Sequence, residues 1–309
     1  MKHSVKDWVV ATRPWSFPAS AMPVAVTMAW LWSQGLMDNW LLGLMALTNI
    51  ILVHAAGNVW SDFFDFRRGV DAKDTFSVTT LVDGHFTQRE VLMLSLCLQT
   101  VAVIMGVTMV CLTGVTLLWI GLAGIILSLC YPPLKYAALG DVVIMACYAL
   151  LPMLGVTFIC HGSIVSDVLW LAVPVGSITV AILHGNNTRD IETDSRAHIR
   201  TFALLTGRDM AAQVYVFELL LPYLWLIGTA VVGVTTSALT VSDTGLTAVS
   251  PWCLTTLLTI PVAWRNITTM LSYRTSGLSA IASLDEATAK LQLAFSITLI
   301  LGLVCATLI

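Results

Sequence analysis

The sequence predicts an all-α fold, a polytopic membrane bundle of nine transmembrane helices around a central cavity. Three observations carry this expectation. Of 309 residues, 57% are apolar and only 11% charged, whereas soluble domains carry roughly 25% charged residues. Apolar runs of span length recur along the chain, and about 20 such residues cross the hydrocarbon core. The basic residues, finally, gather in alternate connections between those runs.

The runs lie near residues 15–33, 40–57, 91–110, 114–131, 141–160, 167–186, 212–235, 250–272 and 290–309. Pro23, Pro152, Pro174, Pro222 and Pro261 interrupt them, which a membrane helix tolerates where neighbours or water satisfy the freed backbone groups. Residues 1–309 read as one membrane-embedded domain. The segment MKHSVKDWVVATRPW is amphipathic and lacks a short apolar core with a small-residue cleavage site, so no removable signal peptide is expected.

Topology follows from the 15 Lys and Arg residues. Lys2, Lys6 and Arg13 precede the first span, and Arg67, Arg68, Lys73 and Arg89 separate the second from the third. Lys135 follows the fourth, Arg189, Arg196, Arg200 and Arg208 follow the sixth, and Arg265, Arg274 and Lys290 lie at or after the end of the eighth. With nine spans all of them fall on one side, which the positive-inside rule makes cytoplasmic. The N-terminus and the two long connections, residues 58–90 and 187–211, share that side. The opposite loops offer only Asp38, His161, Asp167 and Asp243 as possible charges.

A net charge of −3 without any basic arm excludes a nucleic-acid partner; the lipid bilayer is the expected surroundings. The seven cysteines are scattered without a C-x-x-C pair and are expected to be small buried hydrophobes.

The chemistry is concentrated in the long connections. In GNVWSDFFDFRRGVDAKDTFS, Asn58, Asp62 and Asp65 recur at i, i+4 and i+7 and share one face if the second span continues as a helix; Asp71 and Asp74 follow. In HGNNTRDIETDSRAHIRTF, Asn186, Asp190 and Asp194 recur at i, i+4 and i+8. Carboxylates crowded at a membrane boundary repel one another and are costly to desolvate. Mg2+ removes that cost, binding through one or two carboxylates and completing its shell with water and phosphate oxygens. Two facing clusters would therefore hold ions bridging a diphosphate. Arg67, Arg68, Arg189, Arg196 and Lys135 are candidates to bind its charge, Arg as a bidentate donor and Lys as a point charge. Tyr131 stands four residues before Lys135. His54 and His184 precede the clusters, each with packing as the competing reading, and Glu218 sits inside the seventh span, either functional or lining a helix interface.

Four stretches, ATRPWSFPASAMPV, SDFFDFRRGVD with TTLVDG after it, YPPLKYAALGD, and NNTRDIETDSRAHIRTFALLTG, resemble the UbiA-type intramembrane prenyltransferases. Within them the likeness is to the 1,4-dihydroxy-2-naphthoate prenyltransferases of menaquinone synthesis. The resemblance implies Asp62, Asp65, Asp190 and Asp194 as the Mg2+ ligands. It also implies Asn58, Arg67, Lys135, Asn187 and Arg189 as diphosphate contacts, with Lys135, Tyr131 and Asp190 as the catalytic residues. It further implies transfer of a polyprenyl group from polyprenyl diphosphate to an aromatic acceptor, dihydroxynaphthoate, giving demethylmenaquinone with loss of carbon dioxide. Other acceptors such as 4-hydroxybenzoate or homogentisate, and a membrane transporter, are the alternative readings. The chain departs from the family at Ser61, where Asn is usual: either Asn58 substitutes one turn earlier or Ser61 ligates through water. Ser195 separates Asp194 from Arg196 where many relatives place Arg directly after the Asp.

Overall fold

The computed structural model describes residues 3–70, 80–238 and 250–308; Lys2, Asp71, Lys73, Asp74 and Asp243 lie outside them. A short helix α1 (Val5–Ala11) is followed by α2 (Pro18–Ser33), α3 (Trp40–Arg68), α4 (Gln88–Thr113) and α5 (Thr116–Leu129). The run Tyr131–Lys135 forms α6, and α7 (Gly140–Met145) continues through a π-helical turn at Ala146–Leu150 into α8 (Leu151–His161). Then come α9 (Leu169–Arg189), α10 (Ile191–Arg196), α11 (Phe202–Thr206) and α12 (Arg208–Ala238). A 3-10 stretch at Pro251–Thr259 leads into α13 (Ile260–Leu271), α14 (Tyr273–Ser276) and α15 (Leu284–Leu308). Among the described residues the only β contact is an isolated parallel bridge between Ala137 and Arg200.

Six stretches are long and apolar enough to cross a membrane: Trp40–Arg68, Gln88–Thr113, Gly140–His161, Ser166–Arg189, Arg208–Val232 and Leu278–Leu308. The other three expected spans are present as shorter or broken helices. Helices α2 and α5 have 16 and 14 residues, only about 24 and 21 Å at 1.5 Å rise per residue. The eighth is split between the 3-10 stretch and α13. Proline punctuates each break: Pro18 opens α2, Pro132 and Pro133 restart the chain after α5, and Pro251 and Pro261 stand at the starts of the last pair. A count of nine spans is therefore not reproduced by length and hydropathy.

Helix α9 is the axis of the bundle. Within its apolar window 83% of residues are buried, and it packs against α2, α7, α12 and α15. Small residues make this possible: a Cβ at Gly176 would stand 2.5 Å from Met145 Sδ and 3.0 Å from Ala149 Cβ. Leu171, Val175, Ile178 and Ala181 of α9 share the core with Val26 and Leu31 of α2 and with Phe295 and Leu299 of α15. Hydrogen bonds join neighbouring helices where lipid offers no alternative partner. Thr179 Oγ1 donates to the Ala19 carbonyl at 3.0 Å, and the Tyr223 hydroxyl lies 2.7 Å from Thr259 Oγ1. Helices α4 and α5 turn apolar side chains outward, among them Ile104, Leu112 and Trp119, as lipid contact requires. Cys97, Cys111 and Cys130 belong to this exposed set, and only Cys160 and Cys253 are buried. The expectation of uniformly buried cysteines is corrected accordingly, since in a membrane bundle an apolar side chain gains as much facing lipid as facing protein.

Candidate active site

The first acidic motif is helical, as its spacing predicts. Helix α3 runs to Arg68 and ends at Gly69, whose left-handed backbone (φ 70°) accepts the C-cap position. The second motif spans a helix junction: α9 ends at Arg189, and Asp190 (φ −94°, ψ 11°) joins it to α10. The hydrogen-bond ladder still passes through, from Asp190 N to Asn186 O and from Asp194 N to Asp190 O, both 2.9 Å. Asn186, Asp190 and Asp194 therefore remain aligned although the axis bends. Among the described residues of the two long connections, α3 extends to Arg68, and α10 and α11 occupy much of the second.

Both motifs meet at a cavity of about 640 Å³. Asn58, Ser61, Asp65, Tyr131, Lys135, Asn186, Asn187, Arg189, Asp190 and Asp194 line its polar mouth. Much of the remaining wall is apolar, formed by Ile50 and Val53 of α3, Val107 and Val110 of α4, and Leu118 and Ile125 of α5, with Asn49, Gln99 and Ser128 among them. Gly106, Gly121 and Gly124 widen it. The π-helical turn lies on this wall, and its Tyr148 stacks on His54 with ring centroids 4.5 Å apart.

Asp65 and Asp190 at the mouth each have a basic partner. Asp65 accepts from Lys135 Nζ at 3.1 Å, the Tyr136 hydroxyl at 2.6 Å and Ser61 Oγ at 3.2 Å. Ser61 thus bonds to the aspartate one turn ahead of it. The Arg189 guanidinium holds Asp190 bidentately at 2.7 and 2.8 Å and also donates to the Ala282 carbonyl at 2.8 Å. Asp62 is buried and paired with Arg13, and Arg13 itself stands in a left-handed conformation (φ 55°) between α1 and α2. Asn58 ties the same segment down, donating to Thr12 O at 2.9 Å and Ser16 Oγ at 3.0 Å. The backbone of Arg200 donates to Tyr136 O at 3.0 Å, which links the Lys135 connection to the second motif.

Burial shapes the titration here. It acts to lower the Lys135 ammonium, but the Asp65 carboxylate beside it prevails, and the group stays charged above the usual lysine range. Burial pushes the Asp194 carboxyl up to about 7, with Lys135 opposing and Asp190 reinforcing the shift. The Tyr136 phenol is raised by burial and by Asp65, so it remains a donor.

Some expected residues lie elsewhere. Asp62 does not line the cavity, because Arg13 takes its carboxylate. Arg67 is also outside the lining, its guanidinium 5.6 Å from the Phe63 ring centroid, while Arg68 lies over Tyr136. On a helix, residues 65 and 67 are about 200° apart, so Arg67 faces away when Asp65 faces in. His184 points to the outer side of α9, with Nδ1 2.9 Å from Glu218 Oε1 and Nε2 3.6 Å from Asp141 Oδ2. Glu218 thereby serves a buried helix interface. His54 does line the cavity, with Nδ1 2.8 Å from Ser20 Oγ. Sequence reasoning missed Arg13, Tyr136, Asp285 and Glu286 as site residues. The acid pair opening the last apolar run was the available signal for the last two; Arg13 and Tyr136 depend on contacts across 49 and 71 residues.

Five carboxyl groups (Asp65, Asp190, Asp194, Asp285, Glu286) face three basic side chains (Arg13, Lys135, Arg189) in the lining. Buried Asn186 Oδ1 makes no hydrogen bond. Surplus oxygen donors of this kind fit a hard divalent cation. Among the described residues these carboxylates do not converge to metal distance: the one trio of His, Cys, Asp or Glu ligand atoms within 4.8 Å of one another is His3, Asp7 and His85.

Fold and cavity define a membrane-embedded helical protein with a carboxylate-rimmed mouth over an apolar chamber. A family model described as "UbiA prenyltransferase family" matches residues 20–254, and the chain belongs to that family. UbiA prenyltransferase domain-containing protein 1 of Ailuropoda melanoleuca is 36% identical over 225 residues, 71% of this chain and 66% of that protein. The match thus spans just under two thirds of that relative's length. An apo UbiA homologue from Aeropyrum pernix K1 shares the fold, with a TM-score of 0.61 at 13% identity, over 97% of this chain and 99% of that one. A UbiA homologue from Archaeoglobus fulgidus, solved bound to DMAPP and Mg2+, superposes with a TM-score of 0.54 at 15% identity, over 88% of this chain and 99% of that one. The dihydroxynaphthoate branch expected from the motifs is not reproduced: the vertebrate relatives carry a name that specifies no acceptor.

Proposed function

We propose that this protein transfers a polyprenyl group from a polyprenyl diphosphate to an aromatic acceptor inside the membrane, with Mg2+ as cofactor. The reading rests on one observation, the meeting of Asp65, Asp190 and Asp194 at the mouth of a chamber whose walls are mostly hydrocarbon. An amphipathic diphosphate has two parts that no single solvent serves, and this cavity serves both.

The ion would be held by Asp65, Asp190 and Asp194, with Asn186 Oδ1 as a further oxygen; Asp62 joins them only if Arg13 releases it. When bound, Mg2+ supplies Lewis-acid stabilisation of the leaving diphosphate. Lys135 and Arg189 already stand at the mouth, and an anion arriving there draws them from their carboxylates to phosphate oxygens. Lys135 acts as a charged point donor and Arg189 as a planar fork. Their positive charge is strongest where negative charge builds as the allylic C–O bond breaks and the diphosphate leaves with the electron pair. The chamber excludes water from the allylic cation so formed. The electron-rich acceptor ring then supplies the pair for the new C–C bond, and the displaced substituent leaves its own pair in the ring. For 1,4-dihydroxy-2-naphthoate that substituent is the carboxylate, lost as carbon dioxide. This acceptor, and the menaquinone assignment with it, rests on the sequence motifs. The shorter helices α2, α5 and the 3-10/α13 pair would complete nine crossings, and the basic connections support a mouth on the cytoplasmic side.

The test is a product assay by mass, with membranes holding the full chain supplied with a labelled prenyl diphosphate, Mg2+ and each candidate acceptor in turn. A decarboxylated prenyl naphthoquinol that disappears in Asp190→Asn supports the reading. Unchanged turnover in a folded Asp190→Asn protein would overturn it.

A further inference from the structure

We propose a second metal site, for a zinc-class transition ion, built from His3, Asp7 and His85. It lies outside the cavity, where the N-terminal arm meets the start of α4. Ligand atoms of these three residues all fall within 4.8 Å of one another. A tetrahedral zinc with bonds of about 2.0–2.1 Å sets its ligand atoms roughly 3.3 Å apart, so small side-chain rotations close the trio. Two imidazoles with a carboxylate select a transition ion over Mg2+, which prefers oxygen alone.

The two local carboxylates are held in the same way, which makes the arrangement more than a chance cluster. Asp7 closes the capping box of α1: its Oδ2 accepts from the Ser4 backbone at 2.7 Å and from Ser4 Oγ at 2.8 Å. Its other oxygen, Oδ1, is left 3.7 Å from His85 Nε2. Glu90 closes the capping box of α4: its Oε2 accepts from Thr87 N at 2.8 Å and Thr87 Oγ1 at 2.7 Å. Its Oε1 lies 3.2 Å from His3 Nε2. Each cap fixes one carboxylate oxygen and aims the other at an imidazole. Glu90 stands outside the trio as the carboxylate that orients His3, a role outer carboxylates commonly play toward ligand histidines.

Aromatic rings complete the support. His3 stacks on Phe86 with centroids 4.2 Å apart, and Trp8 packs edge-on against the same ring at 4.7 Å. His3 is largely covered while His85 is half exposed, so an ion has an entry path and an open position for water. The trio joins α1 to the segment before α4. Residue Thr12 at the end of α1 leads directly into Arg13, the partner of Asp62. A bound ion would fix the arm that carries Arg13 to the first acidic motif.

Purified full chain in detergent, stripped of metal and free of any affinity tag, is titrated with Zn2+ against a chromophoric chelator and with Co2+ by visible absorption. One ion per chain, with affinity reduced at least tenfold in each of His3→Ala, His85→Gln and Asp7→Asn but unchanged in His198→Ala, a histidine between α10 and α11, is the expected result. Absence of stoichiometric binding overturns the proposal. So does binding indifferent to these substitutions, which would place the ion on the cysteines or elsewhere. His85 is exposed enough that its replacement leaves folding intact, verified by elution volume and circular dichroism.

Discussion

Replacing Lys135 by Met separates two roles of one ammonium group. Lys135 Nζ lies 3.1 Å from Asp65 Oδ2, and both side chains are mostly covered. At that distance the gross attraction is about 5 kcal/mol for an effective dielectric near 20. Desolvation offsets much of it, and breaking a buried pair costs roughly 3–5 kcal/mol when the remaining charge is stranded. Asp65 would not be stranded, because Tyr136 and Ser61 still donate to it. The expected loss of stability is therefore about 1.5–3 kcal/mol, the range for a single charged hydrogen bond. Catalysis should suffer more. Loss of one preorganised donor aimed at developing negative charge lowers kcat by about 100- to 1000-fold. Mg2+ binding in the absence of substrate should tighten, since a competing cation has left Asp65. The assay is diphosphate release against Mg2+ concentration, with thermal unfolding in detergent measured on the same preparation. A folded Lys135→Met protein with unchanged kcat would show that the lysine only balances Asp65, and the proposed role would fall.

With Asp194 as one of the proposed ligands, Mg2+ binding is expected to depend on pH. Its folded pKa of about 7 lies above the ordinary 3.8, so the folded state holds a proton that the unfolded chain releases. Its contribution to stability therefore falls as pH rises from about 4 to about 7. Apparent Mg2+ affinity should rise over the upper part of that window and level off above it, and Asp194→Asn should flatten the profile; a wild-type affinity independent of pH would refute this. Glu218→Leu leaves His184 without its 2.9 Å partner and should cost about 1–3 kcal/mol of stability. Specific activity should survive because His184 does not line the cavity, so loss of turnover in a folded variant would place that pair in the chemistry. Gly124 lines the chamber, and a Cβ there meets nothing within 4 Å. Gly124→Phe should shift preference toward shorter prenyl chains in competition assays read by product mass, and an unchanged preference would put the tail elsewhere.

Much of this site was readable from spacing alone. An Asn four residues before an Asp, placed where an apolar run ends, predicts helix at both Asn58–Asp62 and Asn186–Asp190; the first pair lies within α3, whereas Asp190 stands at the junction of α9 and α10. The spacing left unread which aspartate faces inward. Asp62 and Asp65 lie within one turn, and Arg13, 49 residues away, decides that Asp62 is tied up while Asp65 is served by Lys135 and Tyr136. Arg67 followed the same logic in reverse: its charge suited a diphosphate, but its helical phase turns it onto Phe63. The count of crossings was harder still. Hydropathy locates apolar runs but not the helix ends and breaks within them, and α2, α5 and the 3-10/α13 pair are the runs that come out short or broken. His184 and Glu218 each carried an open reading, and their mutual contact favours the interface reading for both.

In the proposed reaction the diphosphate sits between the two acidic motifs with its tail in the apolar chamber. A structure of the full chain with a non-hydrolysable prenyl thiolodiphosphate and Mg2+ would show this placement. Electron density should place phosphate oxygens at Lys135 and Arg189, metal at Asp65 and Asp190, and the hydrocarbon chain along Gly121 and Gly124. A diphosphate bound away from those aspartates, or a chamber left without the tail, would contradict the claim.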